Sequence, residues 1–252
     1  YTFMDKYLFT VTGRYDGASQ LSETNRWSFF PSAAIGWRLS EESFIQDLGV
    51  FNNLKLRASY GEVGNTDAIS PYATQAIIYQ TFYDFDGSPA LGYTINSLSN
   101  QGLVWERSKE FNLGIDFSLS DIKLSGTIEY YKRNTVDLIL DDKVPPSTGF
   151  SDVINNVGEI ENSGIEVALN SVNLSTNDFQ WQTNLTFTSN NDKVVRLAGG
   201  ITEDKGNRRF VGESVRAHFS YKFDGIWQLG EEADAAVFGQ VPGQIKVRDL
   251  NG

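Results

Sequence analysis

Apolar and polar residues alternate along much of this 252-residue sequence with a period of two. The pattern predicts β-strands, because successive side chains of a strand point to opposite faces, whereas a helix repeats about every 3.6 residues. A polar turn at 120–121 joins two of these stretches and predicts a tight hairpin. The strongest stretches are 7–15, 32–39, 54–61, 110–119, 122–131, 164–170 and 179–187.

Strand length and loop length together favour a membrane barrel over a soluble sheet. Segments of about ten residues match tilted strands that cross a membrane, whereas the strands of soluble proteins usually have about five or six residues. Short connections at 120–121 and 171–178 alternate with long ones at 16–26, 62–105, 141–156 and 191–213. Outer-membrane barrels show this asymmetry, with short periplasmic turns and long extracellular loops. The connection at 40–53 departs from it, and 41–48 is predicted to form a helical turn.

We therefore predict an all-β chain, an antiparallel transmembrane β-barrel fragment forming one partial barrel domain over 1–252. Charged residues on the polar face at mid-strand, such as Arg57, Asp116, Glu129 and Glu166, are solvated easily by a water-filled or protein-filled lumen. Alternation alone fits equally well a soluble sheet whose polar face meets bulk water. That alternative predicts an extracellular adhesin or carbohydrate-binding module, which a continuous apolar outer band would reject.

Charge and composition exclude several classes of function. The net charge of -11 disfavours nucleic acid as a partner. No apolar run approaches the roughly 18 residues of a membrane-spanning helix. Aromatic residues such as Trp27 and Trp37 lie near predicted strand ends, which is typical of contact with outer-membrane lipid.

The sequence carries no motif of an enzyme. His218 is the single histidine and there is no cysteine, so neither a multi-histidine nor a thiolate zinc site is available. No Gly-x-Ser-x-Gly elbow or phosphate-binding loop occurs. His218 lies in a strand-like run with Phe219 and Tyr221, and we interpret it as structural.

The amino-acid sequence of several segments resembles that of the SusC/RagA-type TonB-linked outer-membrane proteins. The segments are spread across nearly the whole chain in the order typical of that family. They are YLFTVTGRYDGAS (7–19), NRWSFFPSAAIGWRLSEESF (25–44), LKLRASYGEVGN (54–65), LVWERSKEFNLGIDF (103–117), NVGEIENSGIEVALN (156–170) and DGIWQ (224–228).

The resemblance implies a barrel of about 22 strands in the outer membrane of a Gram-negative bacterium, with a plug domain before it. It implies import of an oligomeric nutrient, a glycan or a peptide, powered by the TonB complex and shared with a SusD-like surface lipoprotein. We expect the chain to be a piece of that barrel, with the plug, the TonB-contacting parts and the terminal strands outside it.

Two sets of binding residues are predicted. In the long segment 62–105, aromatic faces beside amide and carboxylate groups suit a sugar or a peptide, and the candidates are Tyr79, Tyr83, Asp86, Tyr93 and Trp105. The alternative, which we favour for most of these aromatics, is that they pack the long loop internally.

The second set lies at the end of the sequence. The family often continues this stretch as an Asp-x-Asn-Gly-Asp-Gly loop, so Asp249 and Asn251 are candidate Ca²⁺ ligands, with a simple surface turn as the alternative. No other cofactor is predicted.

Overall fold

The computed structural model describes residues 1–95, 97–120 and 123–248, and most of them lie in antiparallel β-strands. The strands, in chain order, are β1 (Thr2–Phe3), β2 (Tyr7–Gly17), β3 (Trp27–Arg38), β4 (Phe51–Asn65), β5 (Ile78–Phe85), β6 (Ser88–Ile95), β7 (Glu106–Leu119), β8 (Leu124–Lys143), β9 (Asp152–Ser175), β10 (Gln180–Arg196), β11 (Glu203–Asp204), β12 (Arg209–Phe210), β13 (Phe223–Ile226) and β14 (Ile245–Val247).

Helices are short. They are α1 (Ser43–Gln46), α2 (Glu232–Val237) and 3-10 turns at Leu39–Glu41, Pro146–Thr148 and Ala198–Gly200. The first 3-10 turn and α1 confirm the helical turn predicted for 41–48. None of the helices in the described part of the chain is long and apolar enough to cross a membrane.

Eight strands form one open, single-layered sheet in the order β1-β2-β3-β4-β7-β8-β9-β10. Neighbours along the chain are neighbours in the sheet, except that β5 and β6 form a separate hairpin between β4 and β7. We call the eight-stranded sheet the wall and β5–β6 the rim hairpin. Consecutive antiparallel strands of this kind are what the alternation predicted.

The connections at the two ends of the wall differ in length, less regularly than predicted, because the predicted long connection 141–156 comprises only residues 144–151. At one end, β3 passes to β4 through α1, and β9 passes to β10 through residues 176–179. At the other end the connections include 18–26 and the long segment 66–105, and we call this end the outer rim.

Several predicted strands were too short. Strand β8 continues to Lys143 and β9 begins at Asp152, so both extend into the predicted loop 141–156. The strand-like assignment of His218 was wrong, since residues 213–222 contain no strand.

One face of the wall is apolar and remains exposed. Its side chains include Leu113 and Ile165, which are 48% and 47% exposed because no second layer covers them. We call this the apolar face. The opposite, polar face carries the mid-strand charges, so the two faces differ as the lipid-facing and lumen-facing sides of a barrel do.

The apolar run crosses the wall diagonally. The row of directly opposed residues that begins at Val11 on β2 ends at Asn191 on β10. Exposed apolar side chains centre on Val11 in β2, but on Leu185 in β10, six residues before Asn191. At ~3.3 Å per residue and ~4.8 Å between strands, this shift of ~20 Å across ~29 Å corresponds to a tilt of ~35°. Membrane barrels tilt their strands by about 35–45° relative to the axis.

A cluster of buried apolar residues lies at the outer rim, beyond the ends of the wall strands. Ala18, Leu21, Ile69 and Leu103 form a cluster in which Leu103 is fully buried. We call this group the rim core. It joins the loop after β2 to both ends of the segment 66–105, so the rim hairpin grows from a packed base.

Candidate functional site

The middle of the polar face holds a connected group of charges. Arg57 Nε donates to Asp116 Oδ1 at 3.2 Å, and Arg57 Nη2 donates to Glu129. Asn112 Nδ2 donates to the second oxygen of Glu129 at 3.3 Å. The polar-face charges predicted at Arg57, Asp116 and Glu129 therefore meet, because register places β4, β7 and β8 side by side.

Gly114 makes room for this group. A Cβ at Gly114 would lie 2.7 Å from Arg57 Cζ, so the guanidinium lies flat across the glycine. Beside it is an open polar concavity of 420 Å³, lined by carboxylates, amides and a cation. The lining residues are Glu110, Asn112, Glu129, Tyr131, Arg133, Asn162, Glu166 and Asn190.

This concavity can donate and accept many hydrogen bonds. Arg133 Nε donates to Glu110 Oε2 at 2.7 Å, and Tyr131 Oη donates to Asn190 Oδ1 at 2.9 Å. Most of its groups are already paired with one another, which suits a surface that water and hydroxyl-rich or amide-rich molecules pass along. Among the described residues, no cluster of carboxylates and histidine could hold a metal ion.

Asparagine side chains fasten the loops at the outer rim. Asn156 Nδ2 donates to the carbonyls of Val104 and Asp137, and its Oδ1 accepts from Val104 N at 2.9 Å. Asn25 Nδ2 donates to Leu103 O at 3.1 Å, and Asn100 Nδ2 donates to Ile154 O at 2.9 Å. These bonds tie the loop after β2 and the end of the segment 66–105 to strands β8 and β9, and we call this arrangement the platform.

The platform was not predicted. Its partners lie 52 to 78 residues apart in sequence for Asn156 with Val104 and Asn25 with Leu103. A single asparagine near the end of a strand or in a loop is an ordinary surface residue by composition, so only the topology that brings these segments together reveals its role.

Four of the five predicted ligand-binding residues stand on the rim hairpin. Tyr79, Tyr83 and Tyr93 are exposed by 49%, 55% and 70%, and Asp86 lies in the turn between β5 and β6. The expectation that most of these aromatics pack inside the loop was wrong, because the hairpin projects from its base without covering them. The ring of Tyr83 lies across Gly92, which holds it against the hairpin. Their role as ligand contacts stays a prediction.

Trp105 occupies a different place. It packs edge-on against Phe30 with ring centroids 5.4 Å apart, and its Nε1 donates to Arg26 O at 3.1 Å. It also packs against the rim core. The structure therefore does not bring Trp105 together with the hairpin tyrosines, and internal packing is its observed role.

The predicted Ca²⁺ ligands Asp249 and Asn251 lie outside the described residues. A Ca²⁺ site there stays a prediction.

A charged cluster closes the opposite end of the wall. Glu42 accepts from Lys6 Nζ at 2.9 Å and from Trp37 Nε1 at 3.1 Å. These hydrogen bonds, that from Lys6 first, lower the pKa of the Glu42 carboxyl below its usual value. Glu42 thereby holds the start of α1 against β3 and the residues that precede β2.

Residues 1–241 match the family model described as TonB dependent receptor-like, beta-barrel. The chain belongs to this family. TonB-dependent receptor P26 of Formosa agariphila is 39% identical over all of this chain. TonB-dependent receptor SusC of Bacteroides thetaiotaomicron is 35% identical over 81% of it. The resemblance found in the sequence is thereby confirmed, and so is the transmembrane β-barrel fold class.

Solved structures agree. One described as the RagAB peptide transporter is 26% identical, with a TM-score of 0.78 over 89% of this chain and 25% of that chain. A second, the RagAB peptide importer in an open-open state, is 24% identical with a TM-score of 0.80 over 99% of this chain and 27% of that chain, and shows the fold alone.

The chain spans 26% of receptor P26 and 21% of SusC, about a quarter of their length or less. These relatives are named as receptors and not as enzymes. The described part of the chain supplies strands of the barrel wall and loops of the outer rim.

Proposed function

We propose that this chain forms part of the wall and outer rim of an importer that moves an oligomeric nutrient across the outer membrane of a Gram-negative bacterium. One observation carries the proposal: an uncovered apolar face backs directly onto a polar face of paired charges and amides. Such a sheet is satisfied when lipid meets one side and a water-filled or plug-filled lumen meets the other.

The soluble adhesin does not fit this arrangement. A monomer free in water would expose the apolar side chains of seven neighbouring strands, far more than the scattered apolar residues of an ordinary surface.

The substrate we propose is an oligosaccharide, with a peptide as the second candidate. Tyrosine faces beside carboxylate and amide groups at the rim hairpin suit stacking on sugar rings and hydrogen bonding to hydroxyls. The peptide is favoured by the similarity to a structure described as a peptide transporter.

Two partners belong to the proposal. Energy comes from the TonB complex, acting through parts of the protein outside this chain, and a SusD-like surface lipoprotein covers the outer rim. Both are inferred from the family, and the packed asparagine platform gives the lipoprotein a firm surface to meet.

Labelled oligosaccharides and peptides should be offered to the full-length transporter with its lipoprotein in detergent, and uptake measured in cells with and without the gene. We expect one substrate class to bind and its uptake to fall on deletion. If neither class binds and uptake is unchanged, the proposed function is wrong.

A further inference from the structure

The rim hairpin has two open edges. Its two-stranded sheet contains only β5 and β6, and no other strand in the described residues pairs with either. The turn residues Asp86 and Gly87 have φ of 53° and 77°, typical of a two-residue type I′ turn. Such an edge presents unpaired N–H and C=O groups, which is a template for another strand.

The register fixes which groups point outward. In a hairpin closed by two residues the flanking pair, Phe85 and Ser88, exchanges hydrogen bonds, and bonded and non-bonded pairs then alternate. The outward groups of β5 therefore belong to Ile78, Gln80, Phe82 and Asp84. On β6 the first outward position is Pro89, which has no N–H to offer. Strand β5 thus carries the complete edge.

Both faces of the hairpin are apolar. Phe82 and Tyr93 are 67% and 70% exposed on one face, and Phe85 is 73% exposed on the other. A ligand that comes and goes would leave these side chains and the free edge in water for most of the time, which invites aggregation. A resident protein strand on β5 keeps the free edge covered continuously and leaves the tyrosine faces of the hairpin open to substrate.

The negative charge at the hairpin tip indicates the charge that a partner strand should carry. Residues 63–105 contain no lysine, arginine or histidine, but Asp84 and Asp86 stand at the hairpin tip. A second copy of this chain would bring the same acidic tip and a net charge of -11. A strand that ends in lysine or arginine beside the tip is complementary.

We propose that β5 accepts an extended strand from the surface lipoprotein that covers the rim, with apolar residues along the strand and a basic residue beside Asp84 and Asp86. The proposal rests on the proposed function for the existence of that lipoprotein. It adds the attachment point and the mode, which is the addition of a strand to a sheet edge.

Hydrogen exchange of single amides tests this on the full-length transporter purified with its lipoprotein. The outward amides of Gln80 and Phe82 should exchange at least about tenfold more slowly in the complex than in transporter stripped of the lipoprotein. The inward amides of Thr81 and Tyr83 should be slow in both. Equal exchange of Gln80 and Phe82 in both samples overturns the proposal.

A matched pair of variants separates backbone from side chain. Gln80→Pro removes one outward N–H, whereas Gln80→Ala keeps it and removes only the side chain. We expect Gln80→Pro to weaken lipoprotein binding about tenfold and Gln80→Ala to leave it within about twofold. Slow exchange at Thr81 and Tyr83 must persist in both variants, which shows that the hairpin is folded. Equal binding by the two folded variants contradicts strand addition.

Other occupants give different results. Protection of Gln80 by added peptide substrate alone, or by raising the concentration of transporter alone, assigns the edge to substrate or to a second copy and overturns the proposal. Loss of nutrient uptake is measured separately, so the proposed function can stand while the attachment through β5 fails.

Discussion

The wall and the rim hairpin are both antiparallel sheets with exposed aromatic and aliphatic side chains, yet the exposure has different meanings. In the wall it is concentrated on one face, follows a diagonal across the strands and backs onto charge. In the hairpin it occupies both faces and ends at a free edge. Lipid satisfies the first arrangement because it asks for no hydrogen bonds, whereas the second also presents backbone N–H and C=O groups with which another strand can pair. An exposed apolar side chain is therefore informative only together with the backbone beside it.

The same substitution in both regions should give the largest contrast. Leu113→Arg places a charge on the apolar face near mid-wall, and we expect it to lower the free energy of unfolding by about 2–4 kcal/mol. Phe82→Arg on the hairpin should change it by less than about 0.5 kcal/mol, because that side chain is in water when the lipoprotein is absent. Urea unfolding of the full-length transporter in lipid vesicles measures both. Similar losses would mean that the two surfaces are not distinct.

The platform between wall and hairpin should respond next most strongly. Asn156→Ala removes three hydrogen bonds from a half-buried site and leaves Val104 and Asp137 without their partner. We expect local opening of the platform to become easier by about 1–3 kcal/mol, read from hydrogen exchange at Val104. Asn173→Ala, which removes two exposed hydrogen bonds, with Ser171 and Thr183, is the control and should leave Val104 unchanged. A platform held by packing alone would show no difference.

Two glycines of β4 offer a matched pair. A Cβ at Gly64 would collide with the rings of Phe30 and Trp105, whereas at Gly61 the nearest atom is Ser32 Cβ at 3.3 Å. Gly64→Ala should destabilise the junction of wall and rim by about 1–2 kcal/mol through overpacking. Gly61→Ala should cost less. Thermal unfolding of the full-length protein compares them, and an equal loss would show that Phe30 and Trp105 move aside freely.

The smallest expected effect is a pH dependence of local stability around Glu42, at the end of the wall opposite the outer rim. Because the pKa of Glu42 is lowered in the folded state, chiefly by the hydrogen bond from Lys6, its stabilising contribution is present above the unfolded pKa of about 4.3. That contribution is lost as the pH falls through the lower, folded value. Amides of residues 43–46 should lose protection in this acidic range, and the Glu42→Gln variant should not. The hairpin amides should show no such step.

The wall was predictable from sequence because each strand reports its two faces locally. The alternation around Leu113 and Ile128 needs no knowledge of the partner strand. Strand ends were harder, since the outer parts of β8 and β9 lose the strict alternation, with consecutive apolar residues at 138–140 and 153–154.

The rim was harder for a different reason. The Asp86-Gly87 pair is a hairpin signal, but apolar residues on both faces of β5 and β6 hide the period of two. Trp105 has the composition of a ligand contact, and only the fold shows that it packs against Phe30. Asn156 gains its role from Val104, which a different part of the chain supplies.

The diagonal course of the apolar run also sets how far each strand of the wall extends beyond the membrane. From Leu185, the centre of the run on β10, the strand continues ~36 Å to Arg196, whereas from Val11 on β2 it continues only ~20 Å to Gly17. In a level membrane the outer end of β10 therefore stands higher above the lipid than the outer end of β2. The upper edge of this part of the wall is therefore oblique, and it is lowest where the base of the rim hairpin packs beside the loop that follows β2.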